Sequence, residues 1–198
     1  SDGRRRGGVG RGTGRDCRRN ALPSFHAHGR WVAPNLVIAS GAAMLFLPRF
    51  DAGEAVRLMP QASVMMGVPT FYSRLLDHPG FTRECAAGMR LFISGSAPLS
   101  AETHKAFRAR TGHAILERYG MTETNMNTSN PHDGERLPGS VGHPLPGVAL
   151  RIADPESAKP LPQGEIGVIE VRGPNVFSGY WQMPEKTAQE FRADGFFI

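Results

Sequence analysis

Cysteine is scarce. Cys17 and Cys85 are the only two in 198 residues. Two thiols cannot build a disulfide framework or a metal knuckle, and a reducing compartment, read here as the cytoplasm, follows. Long apolar runs are lacking too. None approaches the ~20 residues that a membrane-crossing helix needs. Most of the chain also lacks net charge. The formal excess of +5 lies within residues 1–20, which hold seven Arg against two Asp, while the rest holds 16 basic and 16 acidic residues. A nucleic-acid face on the folded part is therefore not expected. Internal repeats are missing as well.

What is present is a mixed composition, 40% hydrophobic and 21% charged, which fits a globular chain with one sizeable core and a small second lobe. Residues 1–20, SDGRRRGGVGRGTGRDCRRN, are Arg/Gly-rich and nearly free of apolar side chains. They cannot bury enough surface to offset their ordering entropy, so a disordered tail is expected. An RNA-binding arm is the sharper alternative, but it lacks interleaved aromatics. A transit peptide lacks the amphipathic pattern.

From residue 21 to 130 the pattern alternates between strand and helix. Trp31–Leu47 reads as a helix followed by a strand over Ala43–Leu47. Asp51 and Glu54 form a capping box for a helix over Ala52–Met59. Ala62–Val68 and Arg90–Ser94 read as buried strands, with a helix over Thr70–Leu76 between them. Ser100 caps a helix reaching about Arg110. Ala114–Glu117 is a third strand. This order predicts a parallel sheet with right-handed crossovers, whose carboxyl edge gathers the loops Gly67–Arg74, Ser94–Leu99 and Tyr119–Ser129. Beyond Pro131, Gly and Pro become frequent. Val148–Ala153 and Glu165–Arg172 then alternate as strands of a small antiparallel lobe over 131–198, with a short helix over Pro184–Phe191.

The segment Glu117–Ser129, ERYGMTETNMNTS, reads as a polar loop after a strand. Its tyrosine, glycine, threonines and the Glu123 carboxylate suit a nucleotide with a hard cation, but on spacing alone a polar loop capped by threonines is the favoured reading. Ser94–Leu99 reads as a tight turn of small residues. His26 and His28 share one face of an extended segment, without further ligands at metal-binding spacing. Arg74, alone on a helix, reads as solvated surface.

YGMTET resembles the signature of the adenylate-forming superfamily. The longer ERYGMTETNMNTSNPHDGERLPGSVGHPLPGV is similar to malonyl-CoA synthetases, and the likeness runs from about Ala21 to Ile198. The resemblance implies an α/β fold, a parallel sheet flanked by helices plus a small antiparallel β lobe. It implies an ATP-dependent, AMP-forming ligase that joins malonate, and also methylmalonate, to coenzyme A. By the same resemblance the nucleotide lies on Gly95, Ser96, Ala97, Glu117, Arg118, Tyr119, Gly120, Met121 and Thr122. Thr122 contacts the α-phosphate and Glu123 holds Mg²⁺, and these two are the catalytic candidates. The acyl substrate is expected against His26, His28, Ser96 and Met121, with Arg74 pairing the carboxylate that is not activated. ATP, Mg²⁺ and coenzyme A are the expected cofactor and substrates, with no nucleic-acid or membrane partner.

The family's lysine-bearing phosphate loop, its Gly-Asp ribose ligand and its C-terminal lid have no counterpart in these residues. The stretch is thus expected to be a piece of a ligase, inactive alone, with residues 1–20 read as a truncated or frame-shifted upstream end. Another carboxylate–CoA ligase or adenylation domain, or a non-catalytic binding module with a basic arm, remains the alternative.

Overall fold

The computed structural model describes residues 17–20, 33–47 and 49–198. The expectations for His26 and His28 lie outside the described residues. The chain divides into two compact units. One comprises residues 1–119 and 129–143, the other residues 120–128 and 144–198. The expected division near residue 130 is thus displaced: the tip Gly120–Thr128 belongs to the second unit.

The first unit is built on parallel strands β1 (Cys17–Asn20), β2 (Ala43–Phe46), β3 (Val64–Gly67), β4 (Leu91–Ser94) and β5 (Leu116–Met121), paired in the order β2-β1-β3-β4-β5. Every residue of VMMG in β3 and LFIS in β4 is buried, as strands covered on both faces must be. One expectation is corrected here. Cys17–Asn20 was read as the end of a disordered tail, yet it is a central strand, in register with both β2 and β3. Backbone pairing on two edges supplies the order that an Arg-rich composition does not suggest.

Helices α1 (Ala33–Ser40), α2 (Ala52–Leu58), α3 (Pro69–Leu76), α4 (Arg83–Ala86) and α5 (Ala101–Thr111) flank this sheet. Asp51 accepts from Glu54 N at 2.8 Å and caps α2, while Ser100 Oγ accepts from Thr103 N at 3.1 Å and caps α5. Gly112, at φ 82°, ends α5 by donating to Arg108 O. The short α4, capped by the Thr82 hydroxyl, was not anticipated. The core centres on Tyr72, Phe81, Phe92 and Phe107. Their rings meet largely edge to face, Tyr72 on Phe107 at 5.4 Å and Phe92 on Phe107 at 4.9 Å. The Tyr72 hydroxyl, fully buried, donates to Ile93 O at 2.6 Å.

After β5 the chain reverses into β6 (Asn125–Ser129), and β7 (His143–Pro144) follows it in the sheet order. The stretch read as the loop Glu117–Ser129 is therefore two strands joined by a three-residue connection. Asn130 N donates to Glu117 O at 3.0 Å, and Asn127, Thr128, Ser129 and Asn130 are buried. The side chains of Asn127, Ser129 and Asn130 are hydrogen-bonded inside the protein, so polarity misled the reading.

In the second unit β8 (Ala149–Ala153) and β9 (Val168–Arg172) form an antiparallel ladder, and α6 (Pro184–Gln189) follows. Phe197 closes the unit by exchanging backbone hydrogen bonds with Val171, each 2.8 Å. Below it Glu170, wholly buried, is gripped by Arg151 Nε at 2.7 Å and Arg192 Nε at 2.8 Å.

Candidate active site

The register fixes one level of the sheet. Gly67 pairs with Ser94, and Ser94 pairs with Glu117. The connections after β3 and β4 thus leave the carboxyl edge side by side, where open α/β sheets bind ligands. Gly95 N donates to Gly67 O at 3.3 Å and ties the second connection to the first.

Within Ser94–Leu99, Gly95 is buried whereas Ser96 and Ala97 are exposed. Ser96 has φ 69°, the left-handed region that a residue with a Cβ rarely adopts. Such strain is characteristic of ligand-binding turns. Buried Leu99 and the Ser100 cap fix the far end.

On β5 both Glu117 and Arg118 are buried. Glu117 Oε1 lies 3.3 Å from His104 Nδ1 and accepts from Gly139 N at 3.4 Å. Its carboxylate is thereby engaged inside the unit. Loss of solvent pushes the Glu117 carboxyl up to about 6, against the opposing hydrogen bonds from Gly139 and Leu99. Tyr119, next along, is half-buried.

Arg74 is exposed on α3. Its Cζ lies 5.5 Å from the centroid of Phe50, a ring stacked at 4.1 Å on Phe71. The guanidinium therefore rests on an aromatic platform, with its donors open to a ligand or to water.

In the second unit Gly120 and Met121 end β5, and Thr122 and Glu123 open the connection to β6. Gly120 is obligatory: a Cβ there would stand 1.9 Å from Asn125 O. Thr122 is exposed, so its hydroxyl is presented outward. Glu123 is held twice. Its carbonyl accepts from Phe177 N at 2.7 Å, and its Oε1 accepts from the Tyr180 hydroxyl at 3.2 Å. Asn175 Nδ2 donates to Thr124 O at 2.6 Å and to Asn127 Oδ1 at 2.9 Å, and Asn127 Nδ2 donates to Thr124 Oγ1 at 2.7 Å. Tyr180 and Asn175 were not expected at the site.

A model of the family described as AMP-binding enzyme matches residues 8–181. The chain belongs to that family. Among its relatives the mitochondrial malonate–CoA ligase of Mus musculus is 38% identical over 90% of this chain and 36% of its own length. The malonate–CoA ligase of Arabidopsis thaliana is 34% identical over 90% of this chain and 32% of its own. ATP-bound MatB from Rhodopseudomonas palustris shares 58% identity at a TM-score of 0.97, covering 100% of this chain and 39% of that one. A malonyl-CoA ligase with methylmalonyl-CoA and AMP bound shares 40% at 0.88, covering 99% of this chain and 43% of that one. The chain thus spans between about a third and two fifths of the length of these relatives.

The donor set fits a divalent cation only in part. Among the described residues no group of three or more His, Cys, Asp or Glu is gathered. Glu123 would contribute one carboxylate, and phosphate oxygens and water would complete the shell, which is the usual manner for Mg²⁺. Among the described residues no helix is long and apolar enough to cross a membrane.

Proposed function

We propose that the protein carrying these residues is an ATP-dependent, AMP-forming ligase that joins malonate to coenzyme A. A malonate carboxylate attacks the α-phosphorus, and malonyl-adenylate forms as pyrophosphate leaves. The coenzyme A thiol then attacks the acyl carbon and AMP departs. The observation that carries this reading is the likeness to ATP-bound MatB over the whole chain, at 58% identity. The product complex with methylmalonyl-CoA and AMP supports methylmalonate as a further acid, since one added methyl changes binding by only about 1–3 kcal/mol.

The residues take roles on this reading. The strained turn at Gly95, Ser96 and Ala97 lies against adenine and the acyl group, and Tyr119 flanks the base. Thr122 donates to an α-phosphate oxygen. Glu123 holds Mg²⁺, which when bound offsets phosphate charge. Arg74 pairs the free carboxylate of malonate, and its fork geometry suits that partner. His26 and His28 wall the acyl group. Glu117 acts through its backbone and its buried network. The partners are small molecules, not nucleic acid or a membrane. The scarcity of cysteine accords with a reducing compartment such as the cytoplasm.

Acid-dependent ATP–pyrophosphate exchange by the whole ligase tests the reading, with malonate, methylmalonate, acetate, benzoate and palmitate compared. Malonate is expected to lead acetate by at least about tenfold in kcat/KM, as a lost charge-assisted pair dictates. A preference for benzoate or palmitate would overturn it. The 198 residues alone, without a phosphate-clamping lysine loop, are expected to release no pyrophosphate above background.

A further inference from the structure

Tyr180 is the residue whose position the adenylation chemistry does not explain. Its hydroxyl reaches across 57 residues of sequence to donate to Glu123 Oε1 at 3.2 Å. Every part of its surroundings holds it in that attitude. Its ring stands edge to face on Phe177 at 4.8 Å, and the Lys186 ammonium lies 4.7 Å from the ring centroid. Its backbone N donates to Thr187 Oγ1 at 2.9 Å, and that hydroxyl donates to Met183 O at 2.9 Å. Gly179, at φ 145°, packs so closely on Thr187 that a Cβ would stand 2.6 Å from Cγ2. The turn Ser178–Met183 is therefore a rigid mount for one phenol. Phe177, from the same turn, holds the Glu123 carbonyl at 2.7 Å.

We propose that Tyr180 is a positioning residue for the cation-binding carboxylate. One Glu123 oxygen is occupied by the phenol, and the carboxylate plane is thereby fixed. The second oxygen is left to a divalent cation. A half-exposed glutamate free to rotate spends most of its time in other rotamers, and ligands oriented by a hydrogen-bonded partner bind metal more tightly. The inference rests on the reading of Glu123 as the cation ligand. It adds that the second lobe, through the Gly-Tyr turn, sets the affinity of that ligand.

The test is a Mn²⁺ titration of the whole ligase with ATP present, read by the loss of free-ion electron spin resonance signal. Wild type, Glu123→Gln, Tyr180→Phe, Thr187→Val and the Glu123→Gln/Tyr180→Phe pair are compared. Tyr180→Phe is expected to weaken Mn²⁺ binding about tenfold, the scale of one hydrogen bond to a charged group. Thr187→Val, which unfastens the turn but keeps the phenol, is expected to weaken it about threefold, the lower end of a neutral hydrogen bond. In the Glu123→Gln background Tyr180→Phe is expected to add nothing. The KM for coenzyme A stays unchanged in the Tyr180→Phe ligase.

A purely structural tyrosine would lower the melting temperature and leave Mn²⁺ affinity untouched, and that result overturns the inference. If Tyr180→Phe does not fold, Thr187→Val decides alone, and wild-type affinity in that variant counts against the proposal. If Glu123→Gln itself binds Mn²⁺ like wild type, the reading of Glu123 fails and the positioning role falls with it, whereas weakened binding in Glu123→Gln with wild-type affinity in Tyr180→Phe overturns the positioning role alone.

Discussion

His104 and Glu117 meet in the interior: Nδ1 lies 3.3 Å from Oε1, and neither side chain is more than 5% exposed. Burial acts on the two in opposite senses. It pushes the Glu117 carboxyl up to about 6 from its ordinary 4.5. It holds the His104 imidazole below its ordinary value, and the positive charges of Arg108 and Arg136 push the same way. The folded state therefore favours the neutral form of each.

A pH dependence follows. For Glu117 the folded value is raised, so its contribution is fully present below 4.5 and is lost as the pH rises through about 6. The loss amounts to about 2 kcal/mol. His104 works the other way: its contribution is present above 6.5 and is lost as the pH falls. Glu117→Gln removes the titrating carboxyl. Urea midpoints measured from pH 4.5 to 7 should fall with pH more steeply in wild type than in the variant. Parallel curves would show that the carboxyl is not raised.

Gly120 sets a second expectation. A Cβ at this position would stand 1.9 Å from Asn125 O and 2.9 Å from Asn125 C, and both are backbone atoms. No rotamer relieves a clash with backbone. Gly120→Ala is expected to cost about 3 kcal/mol or more, at the severe end for single substitutions. Limited proteolysis should then cut between Tyr119 and Ser129. A variant as stable as wild type would mean that the hairpin does not close so tightly.

These residues also mark what could be read in advance. The apolar blocks VMMG and LFIS, the Asp51 and Ser100 caps and the small residues of Ser94–Leu99 follow local rules, and all were legible. β1 was not, because two of its four residues are arginines and its order comes from pairing on two edges. The hairpin was taken for a loop because Thr124, Asn127 and Thr128 are polar; all three are buried, and Thr124 and Asn127 are satisfied by each other and by Asn175, 48 residues beyond Asn127. Glu123 was singled out by motif, but its Tyr180 partner was not. No periodicity encodes a hydrogen bond between distant side chains.

Glu170 carries a third prediction. Desolvation pushes its carboxyl up, yet hydrogen bonds and charge from Arg192 and Arg151 outweigh that and hold it below its ordinary value. Its contribution is thus present above 4.5 and is lost as the pH falls through the lowered value. Glu170→Ala would leave both guanidiniums without their shared acceptor. The expected cost is about 3–5 kcal/mol, the range for breaking a buried pair from one side. Arg151 also meets Asp194, at 2.6 Å, and lies over the Phe196 ring. The closing segment around Phe197 should therefore exchange its amides faster in the variant, by hydrogen–deuterium exchange. Unchanged protection at Phe197 would detach the clamp from that segment.

On the proposed reading, Arg74 is the residue that distinguishes a dicarboxylate ligase from one that takes a simple acid. The residue is exposed and poised over Phe50, so its charge is not consumed by a buried acid. In the whole ligase Arg74→Met keeps the aliphatic stem on the ring and deletes only the charge. Loss of one charge-assisted pair corresponds to a malonate KM about 10–100-fold higher. The KM for ATP should stay as it is, and acetate, which has no second carboxylate, should react as before. Arg74→Lys keeps a point charge without the paired donors and should fall between the two. If malonate and acetate kinetics shift together in Arg74→Met, the guanidinium serves the helix and its Phe50 platform. The second carboxylate must then be met by another cation.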